Sequence, residues 1–335
     1  MDNPQLYFGK LNQHLQEVLK QTDFTTLFIL VDENTNDDCL PFLELPAHQV
    51  LLIESGEKHK NIQTCQSIWA ELLSRQADRH SILINLGGGV IGDMGGFCAA
   101  TFKRSIRFIN IPTTLLAMVD ASVGGKTGVD FMNQKNMIGL FTSPLATLID
   151  PLFLNTLDQR QIKSGQAEMI KHGLIANLDH FEKAIQANEF PLALIKESVE
   201  IKQHIVEQDP FEKNIRKSLN FGHTLGHAIE SAALSEGNNI LHGEAVALGM
   251  ILELKLSVLH CSLDKDEADN YIEKIAAKYG HPPLDSNYLS ALIEWCGNDK
   301  KNENKGINCS LMSSGGNIKN NINLSQEQIL RIAKN

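Results

Sequence analysis

An apolar run from Ser81 to Leu86 (SILINL) passes straight into Gly87-Gly88-Gly89-Val90-Ile91-Gly92. A strand that ends in clustered glycines and continues as a helix is the opening of a βαβ unit, and it fits the pattern G-x-G-x-x-G. Such a turn lets backbone N–H groups approach a diphosphate at a helix N-terminus; the plainer alternative is a tight strand-to-helix turn with no ligand. The neighbouring segments keep the same alternation. Thr26–Val31 (TLFILV) ends at Asp32, Val50–Ile53 is apolar, Asn61–Ser74 has helical spacing, and Ile106–Ile111 stops at Pro112. Strands alternating with helices predict a mostly parallel sheet covered on both faces.

Beyond Asp150-Pro151 the pattern changes. Helical periodicity covers about 160–176, 191–207, 219–233, 243–260, 265–279 and 285–296, with one weak strand at Ile307–Met312. The expectation is an α/β, Rossmann-like domain over 1–150, followed by a mainly α-helical domain over 151–335. The Asn-rich stretch 298–323 reads as loop-rich.

Charge narrows the partners. With a formal net charge of −10, the chain has no bulk attraction to nucleic acid or to an anionic membrane. An anionic small molecule therefore needs a local cluster of lysine and arginine. Six cysteines without a C-x-x-C pair read as reduced thiols of a cytoplasmic protein. No run of 18 apolar residues or more occurs, so no membrane span is expected.

Three groups of residues carry chemistry. The glycine turn lacks the usual ribose-binding acid, because the next strand ends Ile109-Asn110-Ile111-Pro112; Asp93 and Asp120 are the nearby acids that could hold hydroxyls instead. Gly125-Lys126-Thr127 resembles the end of a P-loop, but Asp120 stands where that motif needs glycine. What remains is glycine-rich backbone beside Lys126, with Lys135 and Asn136 close behind, a candidate phosphate site. Finally, Glu168, Lys171 and His172 share a helical face, His223 and His227 are four apart with Glu230 a turn further, and His242 opens the next helical run. Zincin proteases place Glu after the first histidine; here it is Thr224. A carboxylate with two imidazoles is a normal catalytic zinc set that leaves positions open for substrate. Each histidine alone reads more readily as a core or capping residue. Together the groups point to metal-assisted alcohol oxidation of an anionic substrate.

The segments Gly87–Phe97 (GGGVIGDMGGF), Ile111–Lys126 (IPTTLLAMVDASVGGK), Lys135–Phe141 (KNMIGLF), Gly165–Ile175 (GQAEMIKHGLI), Asn220–Glu230 (NFGHTLGHAIE) and Leu241–Ala245 (LHGEA) jointly resemble the 3-dehydroquinate synthases, within the sugar phosphate cyclases. The resemblance implies a homodimer with tightly held NAD and a divalent metal, usually zinc, with cobalt as an alternative. The implied substrate is the sugar acid phosphate 3-deoxy-D-arabino-heptulosonate 7-phosphate, in the shikimate pathway to aromatic amino acids. In that family NAD oxidises the C5 hydroxyl, phosphate is eliminated, the ketone is reduced again, and ring opening with aldol closure gives 3-dehydroquinate.

By motif, the resemblance implies Glu168, His223 and His242 as metal ligands. Lys126, Asn136, Lys171 and His227 would surround the reacting end and phosphate, with Arg104 reaching a partner subunit's site. Lys202, Arg216 and Asn220 would face the carboxylate, with Lys300 or its neighbour Lys301. Asp32, Glu57, Lys60, Gly88, Gly89, Asp93, Thr113, Thr114, Asp120, Lys135 and Thr156 would hold NAD. The sequence departs from the family pattern in several places. The span from His223 to His242 is slightly longer, Asp158 replaces a favoured proline, Ser105 replaces a favoured glycine, and the tail after Gly306 is shorter and more polar. Competing readings are another cyclase, of the valiolone or inosose type, a metal-dependent polyol dehydrogenase that releases NADH, and a non-catalytic helical adaptor.

Overall fold

The computed structural model describes residues 5–132, 134–296 and 306–334. Lys300 and Lys301 lie outside them. The chain divides into two compact units, Met1–Ile162 with Phe190–Val199, and Lys163–Glu189 with Glu200–Asn335.

The first unit is built on strands β1 (Gln5–Phe8), β2 (Leu27–Asp32), β3 (Gln49–Ile53), β4 (Ile82–Gly87), β5 (Arg107–Pro112) and, after the hairpin β6 (Lys126–Phe131) and β7 (Gln134–Phe141), β8 (Ala146–Ile149). Among the described residues, six of these form one sheet in the order β1-β8-β5-β4-β2-β3, and every neighbouring pair is parallel. Helices α1 (Leu11–Lys20), α2 (Glu33–Asp38), α3 (Ile62–Ser74) and α4 (Gly89–Thr101) connect the strands. Residues on both faces of β2 and β4 are buried, which explains why those strands read as unbroken apolar runs rather than alternating ones. Phe28, Leu30 and Leu83 pack against Cys65, Ile68 and Leu72 of α3 and Ile91 and Met94 of α4. Each large apolar side chain buried in this way stabilises the fold by roughly 1.5–3 kcal/mol.

The hairpin β6–β7 and the short strands β1 and β8 were not apparent from sequence. The stretch from Pro112 to Gly128 contains a helical turn at Ala117–Ala121 and the start of β6.

Beyond α4 the chain makes three successive positive-φ residues, Lys103 (48°), Arg104 (68°) and Ser105 (87°). Glycine, favoured by the family at the third position, carries no steric penalty there. A side chain in such a region costs about 1–3 kcal/mol, offset in part by the extra backbone entropy that glycine loses on folding. Ser105→Gly is therefore expected to stabilise the protein by about 1 kcal/mol, raising the melting temperature by about 2–4 °C. Differential scanning calorimetry checks this; a lowered midpoint would show that the turn is not strained.

The second unit contains α6 (Leu178–Gln186), α8 (His223–Ser235), α9 (His242–Cys261), α10 (Lys265–Tyr279), α11 (Ser286–Cys296), α12 (Gln326–Leu330) and the greater parts of α5 (Gln159–Ala176) and α7 (Leu192–Gln208). Its core joins Leu225 and Ile229 of α8, Ala245, Leu252 and Leu256 of α9, and Leu289, Leu292 and Ile293 of α11. The helix expected from Leu219 begins only at His223. Residues 215–220 form a 3₁₀ segment, and Gly222 at φ 80° breaks the run. The expectation of a loop over 298–323 fails at its end. There Asn317–Leu324 forms β10, antiparallel to β9 (Ile307–Ser313). Its apolar residues Ile318 and Ile322 alternate with exposed Asn317, Lys319, Asn321 and Asn323, a strand period hidden under asparagine content. Among the described residues no helix is long and apolar enough to cross a membrane.

Candidate active site

The glycine segment forms the expected turn. β4 ends at Gly87, Gly88 caps α4, and α4 begins at Gly89. A Cβ on Gly88 would stand 3.1 Å from Thr114 Cγ2, so the turn lies close against the residues that follow β5. Strand order reverses direction between β2 and β4, and in open parallel sheets the crevice beyond the carboxyl ends at such a point is where ligands bind. Several of the residues expected around NAD follow the carboxyl ends of the strands. Asp32 closes β2, Glu57 and Lys60 follow β3, Gly88, Gly89 and Asp93 follow β4, and Thr113 and Thr114 follow β5. Asp120 lies in the helical turn after β5, and Thr156 ends the 3₁₀ segment after β8.

Contacts link several of these residues. Buried Lys60 donates to Asp93 Oδ2 and Asn136 Oδ1, both at 2.7 Å. Burial works against its charge, but Asp93 and Glu57 outweigh that and raise its pKa. Lys135 Nζ lies 3.5 Å from Glu57 Oε1. Asp32 spends its carboxylate on capping α2, accepting from Thr35 N at 2.8 Å. Lys126 stands exposed at the start of β6. Arg104 lies apart from these, in the strained turn, where it lines a cavity of about 640 Å³ with Asp78, Arg79, His80 and Lys103.

In the second unit, three helices deliver one cluster. Asp158, at the position where the family favours proline, caps α5 by accepting from Arg160 N at 2.8 Å, a normal N-cap role. Farther along α5, Glu168 and Lys171 are fully buried and form an ion pair. His223 opens α8 and His242 opens α9, and their Nε2 atoms lie 3.5 and 3.6 Å from the same oxygen, Glu168 Oε1. Tetrahedral ligands on a zinc ion at about 2.0–2.2 Å stand about 3.4 Å apart, so the two separations from Glu168 Oε1 match those between ligands of one divalent cation. The lengthened span between the two histidines does not prevent it.

The far nitrogen of each ring faces an acceptor. His223 Nδ1 lies 3.3 Å from Phe221 O, and His242 Nδ1 lies 3.5 Å from Glu230 Oε2. A proton held at Nδ1 leaves the Nε2 lone pair for a metal, the usual outer support of an imidazole ligand. Burial and then Lys171 hold His223 well below its ordinary pKa, so it is neutral. For His242 burial acts in the same direction, but hydrogen bonds to Glu168 and Glu230 prevail and raise it to about 9. A cation taking its Nε2 therefore displaces a proton.

A second grouping shares two of these residues. Ligand atoms of His223, His227 and His242 all lie within 4.8 Å of one another. Of the two sets, the one with Glu168 has the stronger physical case. A fully buried carboxylate needs a nearby positive charge, whereas His227 is exposed and lines a cavity of about 560 Å³ with Lys217, Asn220, His223, Asn308 and Ser310.

Arg216 and Lys202 are buried. Arg216 donates to Pro210 O at 2.7 Å, and Asp209 accepts from its backbone N–H at 3.2 Å. Asn220 donates to Glu212 Oε1 at 2.7 Å.

Sequence reading missed the cavity wall supplied by the terminal hairpin. Ser310 Oγ bonds Lys217 O at 2.8 Å, and Lys217 Nζ bonds Asn321 Oδ1 at 2.8 Å. The alternation of β10 was the available signal. Also missed was Glu253, a single carboxylate within the apolar run of α9, whose isolation there marks a buried acid.

Comparison with known proteins places this arrangement. Two solved structures share the fold over nearly the whole chain. One, 2-deoxy-scyllo-inosose synthase complexed with carbaglucose-6-phosphate, NAD+ and Co2+, has TM-score 0.83 at 23% identity, covering 98% of this chain and 95% of that one. The other, 2-epi-5-epi-valiolone synthase from Streptomyces hygroscopicus subsp. jinggangensis with NAD+ and Zn2+ bound, has TM-score 0.81 at 24% identity, covering 100% and 98%. The fold is thus that of the sugar phosphate cyclases. Sequence profiles described as 3-dehydroquinate synthase N-terminal and C-terminal match residues 50–164 and 165–302. A 3-dehydroquinate synthase from Parabacteroides distasonis is 44% identical over 330 residues, 96% of this chain and 94% of its own length. The chain belongs to the 3-dehydroquinate synthase family.

Proposed function

We propose that this chain converts 3-deoxy-D-arabino-heptulosonate 7-phosphate into 3-dehydroquinate and phosphate, with NAD+ used catalytically and one divalent cation, zinc or cobalt. The observation that carries this reading is the approach of His223 Nε2 and His242 Nε2 to the same buried oxygen, Glu168 Oε1, at 3.5 and 3.6 Å, in a chain of this family. When bound, the cation would acidify a substrate hydroxyl and the nicotinamide would accept and return its hydride. Residues 1–150 chiefly serve NAD, through the side chains past the strand ends, and 151–335 chiefly serve metal and substrate, with Thr156 on the NAD side and Lys126 and Asn136 reaching the substrate.

The chain's own groups then bind and orient. Arg216, its backbone N–H held by Asp209 and its guanidinium donating to Pro210 O, offers a partly fixed cation for the carboxylate of the substrate. Lys202 and Asn220 flank that end. Lys126, Asn136, Lys171 and His227 serve the reacting carbons and the phosphate, and Arg104 completes a partner's site. In the free protein Lys171 pairs with Glu168, placing a positive charge beside the buried carboxylate where the cation would sit. We read the protein as a cytoplasmic homodimer. Its six cysteines are free thiols, in keeping with a reducing compartment, and Phe131, Met132, Met137 and Phe141 expose apolar surface on one hairpin.

Incubation of the purified protein with the heptulosonate phosphate, NAD+ and zinc tests the proposal. Phosphate and dehydroquinate should appear in equal amounts without net NADH. Accumulating NADH without phosphate would indicate a polyol dehydrogenase. Phosphate released only from a heptulose 7-phosphate lacking the carboxylate would indicate a different cyclase.

A further inference from the structure

Glu253 lies in the middle of α9 with no exposed surface, and among the described residues no cation pairs with it. Its carboxylate instead accepts from two backbone N–H groups at the start of α8, Gly222 N at 2.6 Å and Leu225 N at 3.2 Å. These groups flank His223. Burial raises the pKa of Glu253 to about 8, against the backbone hydrogen bonds that favour its charge. A buried acid costs stability unless it does something specific, and here it answers orphan donors at the positive end of a helix.

The surrounding contacts leave this helix start little freedom. Gly222 has φ 80°, and a Cβ there would approach Met250 Cγ to 2.5 Å. Gly249, one turn before Glu253, packs so closely that its Cβ would meet Gly222 O at 2.1 Å. One face of α9 thus grips the backbone on both sides of His223, while the first residue of the same helix is His242. We propose that Glu253 is the positioning residue of the metal site, holding His223 in register with His242 and Glu168. This rests on the metal reading above and adds a residue that neither touches the cation nor the substrate.

The test compares cobalt and zinc affinity, by chelator competition, for the intact protein, Glu253→Gln, Glu253→Leu and Leu252→Ala. Leu252 is equally buried on α9 but faces the apolar core. Loss of an outer support typically costs about 10–100-fold in metal affinity. Glu253→Gln, which keeps one acceptor oxygen, should fall near the lower figure, and Glu253→Leu near the upper. Both should alter the visible absorption bands of bound cobalt. Leu252→Ala should lower the melting temperature of the metal-free protein yet bind metal normally with an unchanged cobalt spectrum. If Glu253→Leu does not fold, Glu253→Gln decides alone. Unchanged affinity in the Glu253 variants, or an equal loss in Leu252→Ala, overturns the inference. Failure of the intact protein to bind either metal overturns the metal reading itself.

Discussion

Replacing His223 with alanine is expected to empty the metal site and lower kcat by about 10³–10⁴-fold. The variant removes an Nε2 atom 3.5 Å from Glu168 Oε1, and no other side chain opens α8 at that point. A Lewis-acid metal contributes several kcal/mol to a transition state, and about 1.4 kcal/mol is tenfold in rate. His223 is neutral in the free protein, so its loss leaves no new unpaired charge and should change the melting temperature of the metal-free protein little. Metal content by elemental analysis, phosphate release and calorimetry together check this. Full metal content with normal turnover would exclude His223 as a ligand.

Gly249→Ala is expected to damage fold and site together. The added methyl would stand 2.1 Å from Gly222 O and 2.6 Å from Gly226 N, backbone atoms that cannot rotate away. Helices α8 and α9 must separate, and overpacking of this sort costs about 1–3 kcal/mol, or more where backbone is hit. Separation also draws His223 away from His242, so zinc affinity should fall by about tenfold or more, as when an outer support is lost. A denaturant titration and a zinc titration measure the two effects. A variant with unaltered stability and affinity would show that the close helix contact is not what brings the two imidazoles together.

Much of this arrangement was legible in sequence where a pattern was strictly local. The run into Gly87–Gly89 marked a strand, a turn and a helix, and the helix at Lys265–Tyr279 has the bounds its periodicity indicated. The two histidines four apart on α8 needed only the helical repeat to share a face. What was hidden depends on partners distant in the chain. β1 and β8 are four residues each and pair Gln5 with Ala146, so neither carries a periodic signal of its own. The sheet order, and with it the crevice between β2 and β4, follows from such pairings. β10 was masked because asparagine discourages strands on average, while Ile322 and Leu324 decide this one by packing into the core. The start of α8 was misplaced because Gly222 interrupts a helical pattern that continues on both sides. Glu253 escaped notice because its value lies in two backbone groups of another helix.

The approach of Glu168, His223 and His242 to one another is the point on which the functional account stands. Anomalous scattering at the zinc edge, from crystals of the zinc-loaded protein, measures it directly. A single strong peak is expected at about 2.0–2.2 Å from a Glu168 oxygen and from Nε2 of both His223 and His242. A peak bound by His227 with Glu168 left outside its coordination sphere, or no peak within this cluster, would contradict it.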